Sequence, residues 1–151
     1  MSNLDAELCG YLEWLNQHHG ENVAFVVLYG SRARGDAKRH SDYDLLIGLR
    51  SESSTSFLDR LFEFSQFEYP RVEAKPFTPS EIEDLWMHYA RTLLDAMYEG
   101  VVLLDSENWS VLRKRYDDAV QNGILERRGT MWVWHRELEP VGSRRLAMDR
   151  L

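Results

Sequence analysis

The chain has 151 residues, a single cysteine and a formal charge of −7. That length suits one domain built around one core, and a lone cysteine excludes an intramolecular disulfide or a cysteine-based metal cluster. The acidic balance disfavours non-specific binding to nucleic acid, which depends on neutralising phosphates. The opening Met-Ser-Asn-Leu-Asp lacks the basic and apolar regions of a signal peptide. No apolar run nears the roughly 20 residues needed to span a bilayer. A soluble cytoplasmic protein with no membrane association is therefore expected.

Leu4, Leu8, Tyr11, Leu12 and Leu15 recur at helical spacing, so residues 3–19 read as an amphipathic helix that Gly20 ends. Cys9 lies near this stripe and is expected to be a small buried residue. Val23 to Tyr29 is a short apolar run rich in β-branched residues and reads as a buried strand. Gly30 breaks it, and a short helix is expected at Arg32-Ala33-Arg34. Tyr43 to Leu49 reads as a second strand, its apolar run interrupted by Asp44. Phe57, Leu58, Leu61, Phe62 and Ser65 give a second helical stripe over 57–67.

Val72 to Phe77 reads as a third strand, with Pro70 and Pro76 favouring a short or edge pairing. Thr78 and Glu81 form a capping box with Pro79 at the first helical position. One helix is expected from there to about Tyr98, with Trp86 in the core. Residues 101–104 read as a fourth strand. Ser106 is the expected cap of a last helix carrying Trp109, Leu112, Tyr116 and Val120, and Gly123 its stop. The order predicts an α/β domain, a small mixed sheet packed by helices, over 1–125. Residues 126–151 read as a C-terminal extension with an edge strand at 131–134 and a mobile tail. Trp132 and Trp134 there suit either that strand or a docking surface for a second subunit or partner.

The chemistry concentrates in residues 29–45, Y-G-S-R-A-R-G-D-A-K-R-H-S-D-Y-D-L. Alternate residues of a strand face one side, so Asp42 and Asp44 project together with Tyr43 opposite. Two like charges at that spacing raise each other's pKa unless a cation sits between them. Mg²⁺ suits this role, because it favours carboxylate oxygens and is often completed by substrate phosphates. Gly30 lets the backbone approach a ligand closely, and the turn's N–H groups with the Ser31 hydroxyl make an anion site. Arg32, Arg34, Lys38 and Arg39 are candidates to steer or neutralise a polyphosphate.

Gly30-Ser31-Arg32-Ala33-Arg34-Gly35, followed after five residues by Ser41-Asp42-Tyr43-Asp44-Leu45, resembles the signature of the minimal nucleotidyltransferases. These belong to the DNA-polymerase-beta-like superfamily. The resemblance implies a polymerase-beta-like fold and transfer of a nucleoside monophosphate, with AMP from ATP as the default. It implies two Mg²⁺ ions held by Asp42, Asp44 and a third carboxylate on the strand after the next helix. Glu73 stands there in place of the usual Asp, with Glu83 and Asp84 as alternatives on a helix face. It further implies that Gly30, Ser31, Arg32, Arg34 and Ser41 bind the nucleotide. Small members are often encoded beside a HEPN-domain protein in a toxin–antitoxin pair and adenylate a tyrosine of the toxin, so such a partner is expected. A homo-oligomer is compatible with the sequence. The rival reading is a catalytically weak module that neutralises its partner by contact.

Overall fold

The computed structural model describes residues 5–140. Its elements run α1 (Ala6–His19), β1 (Val23–Tyr29), α2 (Ser31–Arg34), β2 (Tyr43–Leu49), α3 (Phe57–Phe64), β3 (Val72–Phe77), α4 (Pro79–Met87), α5 (Arg91–Glu99), β4 (Val101–Asp105), α6 (Asn108–Gln121), β5 (Leu125–Arg128) and β6 (Met131–Trp134). Strands β1 to β4 form one mixed sheet in the order β3-β2-β1-β4. β2 runs antiparallel to β1 and parallel to β3, while β4 pairs antiparallel with the far side of β1. No helix among the described residues is long and apolar enough to cross a membrane.

The central strands are buried on both faces, which is why β1 and β2 read as nearly unbroken apolar runs. One face packs Val26, Leu28, Leu45 and Ile47 against Leu8, Tyr11 and Leu15 of α1 and Phe64 of α3. The other packs Phe25, Val27, Tyr29 and Leu46 against α4, α5 and α6. Asp44 lies between Tyr43 and Leu45, which belong to the first face, so it belongs to the second.

Several local expectations change. Cys9 is exposed, because α1 buries Leu8, Tyr11 and Leu15 and turns position 9 outward. α3 ends at Phe64 and buries Arg60 and Phe64, leaving Leu58 and Phe62 exposed. Arg60 earns that burial by donating to the carbonyls of Thr55 and Pro76 and to the carboxylate of Glu81. The single helix expected to Tyr98 is two, broken by Tyr89 at φ +48°. The Tyr89 ring meets Trp86 and Trp134 edge-on and its hydroxyl donates to Glu139, contacts that favour the left-handed residue.

Residues 131–134 do form a strand, but in a separate two-stranded sheet with β5 rather than on the edge of the main one. Trp132 and Trp134 pack onto the chain's own helical core. Their aromatic surface is used internally, Trp132 donating its indole N–H to Asp95 of α5 at 2.9 Å. The tail beyond 140 lies outside the described residues.

The cap of α6 also differs. Ser106 donates to the carbonyl of Ala24, and Asp105 accepts from the Trp109 amide at 3.1 Å and the Ser110 hydroxyl at 2.7 Å. Replacing Asp105 with Ala is expected to cost about 1 kcal/mol, the usual value of a helix cap. Ser106→Ala is expected to leave the helix cap intact. Chemical denaturation of the two variants checks the order.

Candidate active site

The strand register builds the site. Tyr29 of β1 pairs with Asp44 of β2, and Asp44 pairs with Glu73 of β3. These three side chains therefore form one row across the sheet, at the end where β1 leaves and β2 and β3 enter. Asp42 stands one residue before β2 and is exposed. Its charge still acts on Asp44. Glu83 is turned elsewhere, making a two-pronged ion pair with Arg115 of α6 at 2.7 Å for each contact, so Glu73 is the carboxylate in register.

Asp44 is half-buried, and this row is electrostatically unfavourable on its own. Burial, followed by the adjoining Glu73 carboxylate, pushes the Asp44 carboxyl up to about 6, with Asp42 adding to the rise. Lys75, on the same face of β3, opposes it.

Gly30 completes the row from the other side. It sits at φ +80°, and a Cβ there would lie 2.5 Å from Asp44 Oδ2. Only glycine lets the turn after β1 pass this close to the carboxylate. The Gly30 carbonyl accepts from the amides of Ala33 and Arg34, which starts the short α2. Its own N–H donates to Glu99 Oε1 at 3.2 Å. Ser31 follows at the start of α2, half-exposed.

The loop arginines are engaged within the chain. Arg34 Nη1 reaches both oxygens of Glu99 at 3.0 and 3.2 Å, and its Nε reaches Asp36 at 3.2 Å. Arg32 donates to the carbonyls of Ser41 and Arg39 and lies over the Tyr43 ring at 4.5 Å. Arg71 supports the same loop, donating to the Arg39 carbonyl while bound to Glu7 and Asp5. Ser41 closes the loop through its hydroxyl, which accepts from the Lys38 amide at 2.8 Å. Arg32 and Arg34 thus brace the turn and the segment that delivers Asp42, while the Lys38 and Arg39 side chains stay exposed.

Two residues of this neighbourhood carry no local sequence signal or only a faint one. Glu99, whose side chain is 7% exposed, anchors the Gly30 turn from the end of α5, 65 residues from its partner Arg34. Lys75 was detectable only as the residue two beyond Glu73 on a strand, and hence on its face.

The donor set suits a hard divalent cation. Asp42, Asp44 and Glu73 offer carboxylate oxygens alone, which Mg²⁺ prefers. Among the described residues no three carboxylates, imidazoles or thiols converge into a preformed cage. Mg²⁺ needs none, being bound commonly by one or two carboxylates with waters and substrate phosphates. The neighbouring Asp44 and Glu73, with charge to spare, fit that pattern.

The model of the family "Polymerase beta, Nucleotidyltransferase" matches residues 13–108, which span β1 to β4 and every residue of this row. The chain belongs to this family. It is a nucleotidyltransferase domain, of a superfamily that generally uses divalent metals. No curated protein matches the chain. One solved structure, a toxin–antitoxin with AMP-PNP, has a chain that aligns at a TM-score of 0.51 and 13% identity, covering 78% of this chain and 88% of that one. A mutant of the toxin–antitoxin MntA-HpeT aligns at 0.51 and 12% identity, over 79% and 88%. At these identities the likeness is one of fold, and it extends the polymerase-beta-like architecture over most of the chain.

The raised Asp44 pKa gives a sign to the pH dependence. A carboxyl whose pKa rises on folding favours the fold while protonated, and that contribution is lost as pH climbs from about 4 through 6. In chelator-treated protein, Asp44→Asn is therefore expected to raise the melting temperature by about 2–5 °C near pH 8, after discounting for solvent screening. The gain should shrink towards about pH 4. Thermal melts across that range check both the gain and its direction.

Proposed function

We propose that this nucleotidyltransferase domain transfers AMP from Mg-ATP to a hydroxyl of a protein partner, a tyrosine of a HEPN-type toxin, and thereby acts as an antitoxin. The observation that carries the reading is the Asp44–Glu73 pair in register beside the bare α-carbon of Gly30. A nucleotide's phosphates can approach the carboxylates only where the intervening backbone has no side chain. The fold it shares with chains of toxin–antitoxin structures, one of them with AMP-PNP, supports both the nucleotide and the partner.

In this reading Asp42, Asp44 and Glu73 hold two divalent ions. Bound there, the ions neutralise the phosphates and polarise the α-phosphorus. Gly30 and Ser31 offer the turn to the β- and γ-phosphates. Arg32, Arg34 and Ser41 serve the nucleotide by fixing that turn and the Asp42 loop. The acceptor oxygen forms a bond to the α-phosphorus as the bond to the β-phosphate oxygen breaks, releasing pyrophosphate. Glu73 takes the acceptor proton. The extra methylene of Glu73, relative to the usual Asp, lets a carboxylate on the outer strand β3 reach across to Asp44.

The rival reading, neutralisation by contact alone, has one observation in its favour. β4 is an edge strand whose Val102 and Leu104 are 46% and 47% exposed, an apolar rim suited to a partner. Incubation with each α-labelled nucleoside triphosphate, Mg²⁺ and the product of the adjacent gene separates the two. The expected result is label on the partner from ATP, absent with Asp42→Asn/Asp44→Asn. A double variant that still neutralises the partner fully, with no label moved by the wild type, would replace chemistry with contact.

A further inference from the structure

We propose that Lys75 is a working part of the carboxylate site. Its ammonium is a built-in cation that weakens divalent binding to the free protein, so that the ion is held firmly only together with a nucleotide. The inference rests on the reading of Asp42, Asp44 and Glu73 as metal ligands.

Lys75 follows Glu73 by two on β3 and pairs with Leu46 as Glu73 pairs with Asp44. It therefore roots one step deeper along the same face. Its half-buried side chain does not leave for solvent. Nζ donates to the Tyr29 hydroxyl at 2.9 Å, reaching from β3 to β1 across the strand that carries Asp44. The phenol fixes the ammonium without neutralising it, so the full positive charge acts on both Asp44 and Glu73. Of the other cations around the loop, Arg32 is engaged with carbonyls, Arg34 with Glu99 and Asp36, and Arg71 with Glu7 and Asp5, while Lys38 and Arg39 are exposed.

In the free protein the ammonium offsets only part of the charge of Asp44 and Glu73. The same row holds Val27 and Leu46, and a lysine that merely guarded the edge strand would serve as well pointing outward. The charge count gives it a use. Three carboxylates and one ammonium leave two negative charges, enough for one divalent ion. A second ion then needs the negative charge of a triphosphate, which ties full metal loading to nucleotide arrival.

Titration of the full chain with Mn²⁺ at neutral pH, alone and with a non-hydrolysable triphosphate analogue, tests this. Removing a fixed positive charge a few ångströms from the ion should tighten Mn²⁺ binding to nucleotide-free Lys75→Met about fivefold or more. The gain should largely vanish with the analogue present. Lys75→Arg, which keeps the charge, should behave as wild type. Lys75→Gln, able to donate to Tyr29 without the charge, should match Lys75→Met and stands in for it should the methionine variant not fold. Unchanged or weaker Mn²⁺ binding in the neutral variants, while wild type binds Mn²⁺, overturns the role of Lys75 alone. Wild type that binds no Mn²⁺ with or without the analogue overturns the metal reading and this inference with it.

Discussion

Two carboxylates held side by side across a pair of parallel strands, a half-buried Asp44 and an exposed Glu73, are the constraint around which this site is arranged. Ionised together they repel, and the Asp44 carboxyl is pushed up first by its burial and then by the neighbouring Glu73. Folding by itself gives no reason to accept that cost. The surroundings are what make it tolerable. Gly30 withdraws a side chain that would collide with Asp44, and Lys75, anchored on Tyr29, supplies a partial counter-charge. Under the proposed function, a divalent ion with its nucleotide would supply the rest.

The basic residues of the 29–45 segment illustrate how one composition can serve two ends. Arg32 and Arg71 lie on the Tyr43 ring, at 4.5 and 5.8 Å, and converge on the carbonyl of Arg39. Arg34 is clamped to Glu99. These contacts tie together the two loops that meet at the carboxylate row. Precision of placement is worth more at such a site than one more flexible cation, since a displaced group loses most of its effect on the reacting atoms. In the structure Arg32 and Arg34, expected at the nucleotide, are hydrogen-bonded within the chain, Arg32 to the carbonyls of Ser41 and Arg39 and Arg34 to Glu99 and Asp36.

The fold was legible where the physics is local. Strands β1 and β2 run over the residues that their apolar runs marked, because each is covered by helices on both faces, and β3 covers the expected 72–77 with every second residue buried. The capping box of Thr78 and Glu81 starts α4 as its side-chain chemistry requires. What escaped depended on distant partners. The break at Tyr89 follows from rings on α4 and β6, and the cap of α6 from a side chain on β4 rather than the nearer Ser106. Burial of Arg60 needs carbonyls and a carboxylate from three other segments. In the candidate site, the spacing of Gly30, Asp42 and Asp44 was plain, and Glu73 was expected on the strand after the next helix, where the register sets it beside Asp44. Glu99 could not be found that way, since only the closed sheet brings the end of α5 to the turn after β1.

The central claim is that Gly30, Ser31, Asp42, Asp44 and Glu73 form a single metal and nucleotide site. Paramagnetic broadening maps it directly: Mn²⁺ with a non-hydrolysable ATP analogue is added to ¹⁵N-labelled protein, and the amide signals that vanish are identified. The account predicts loss centred on the Gly30–Ser31 turn and on the starts of β2 and β3, with the β5–β6 hairpin spared. Broadening centred on the acidic face of α4, or scattered over the surface with that turn untouched, would contradict it.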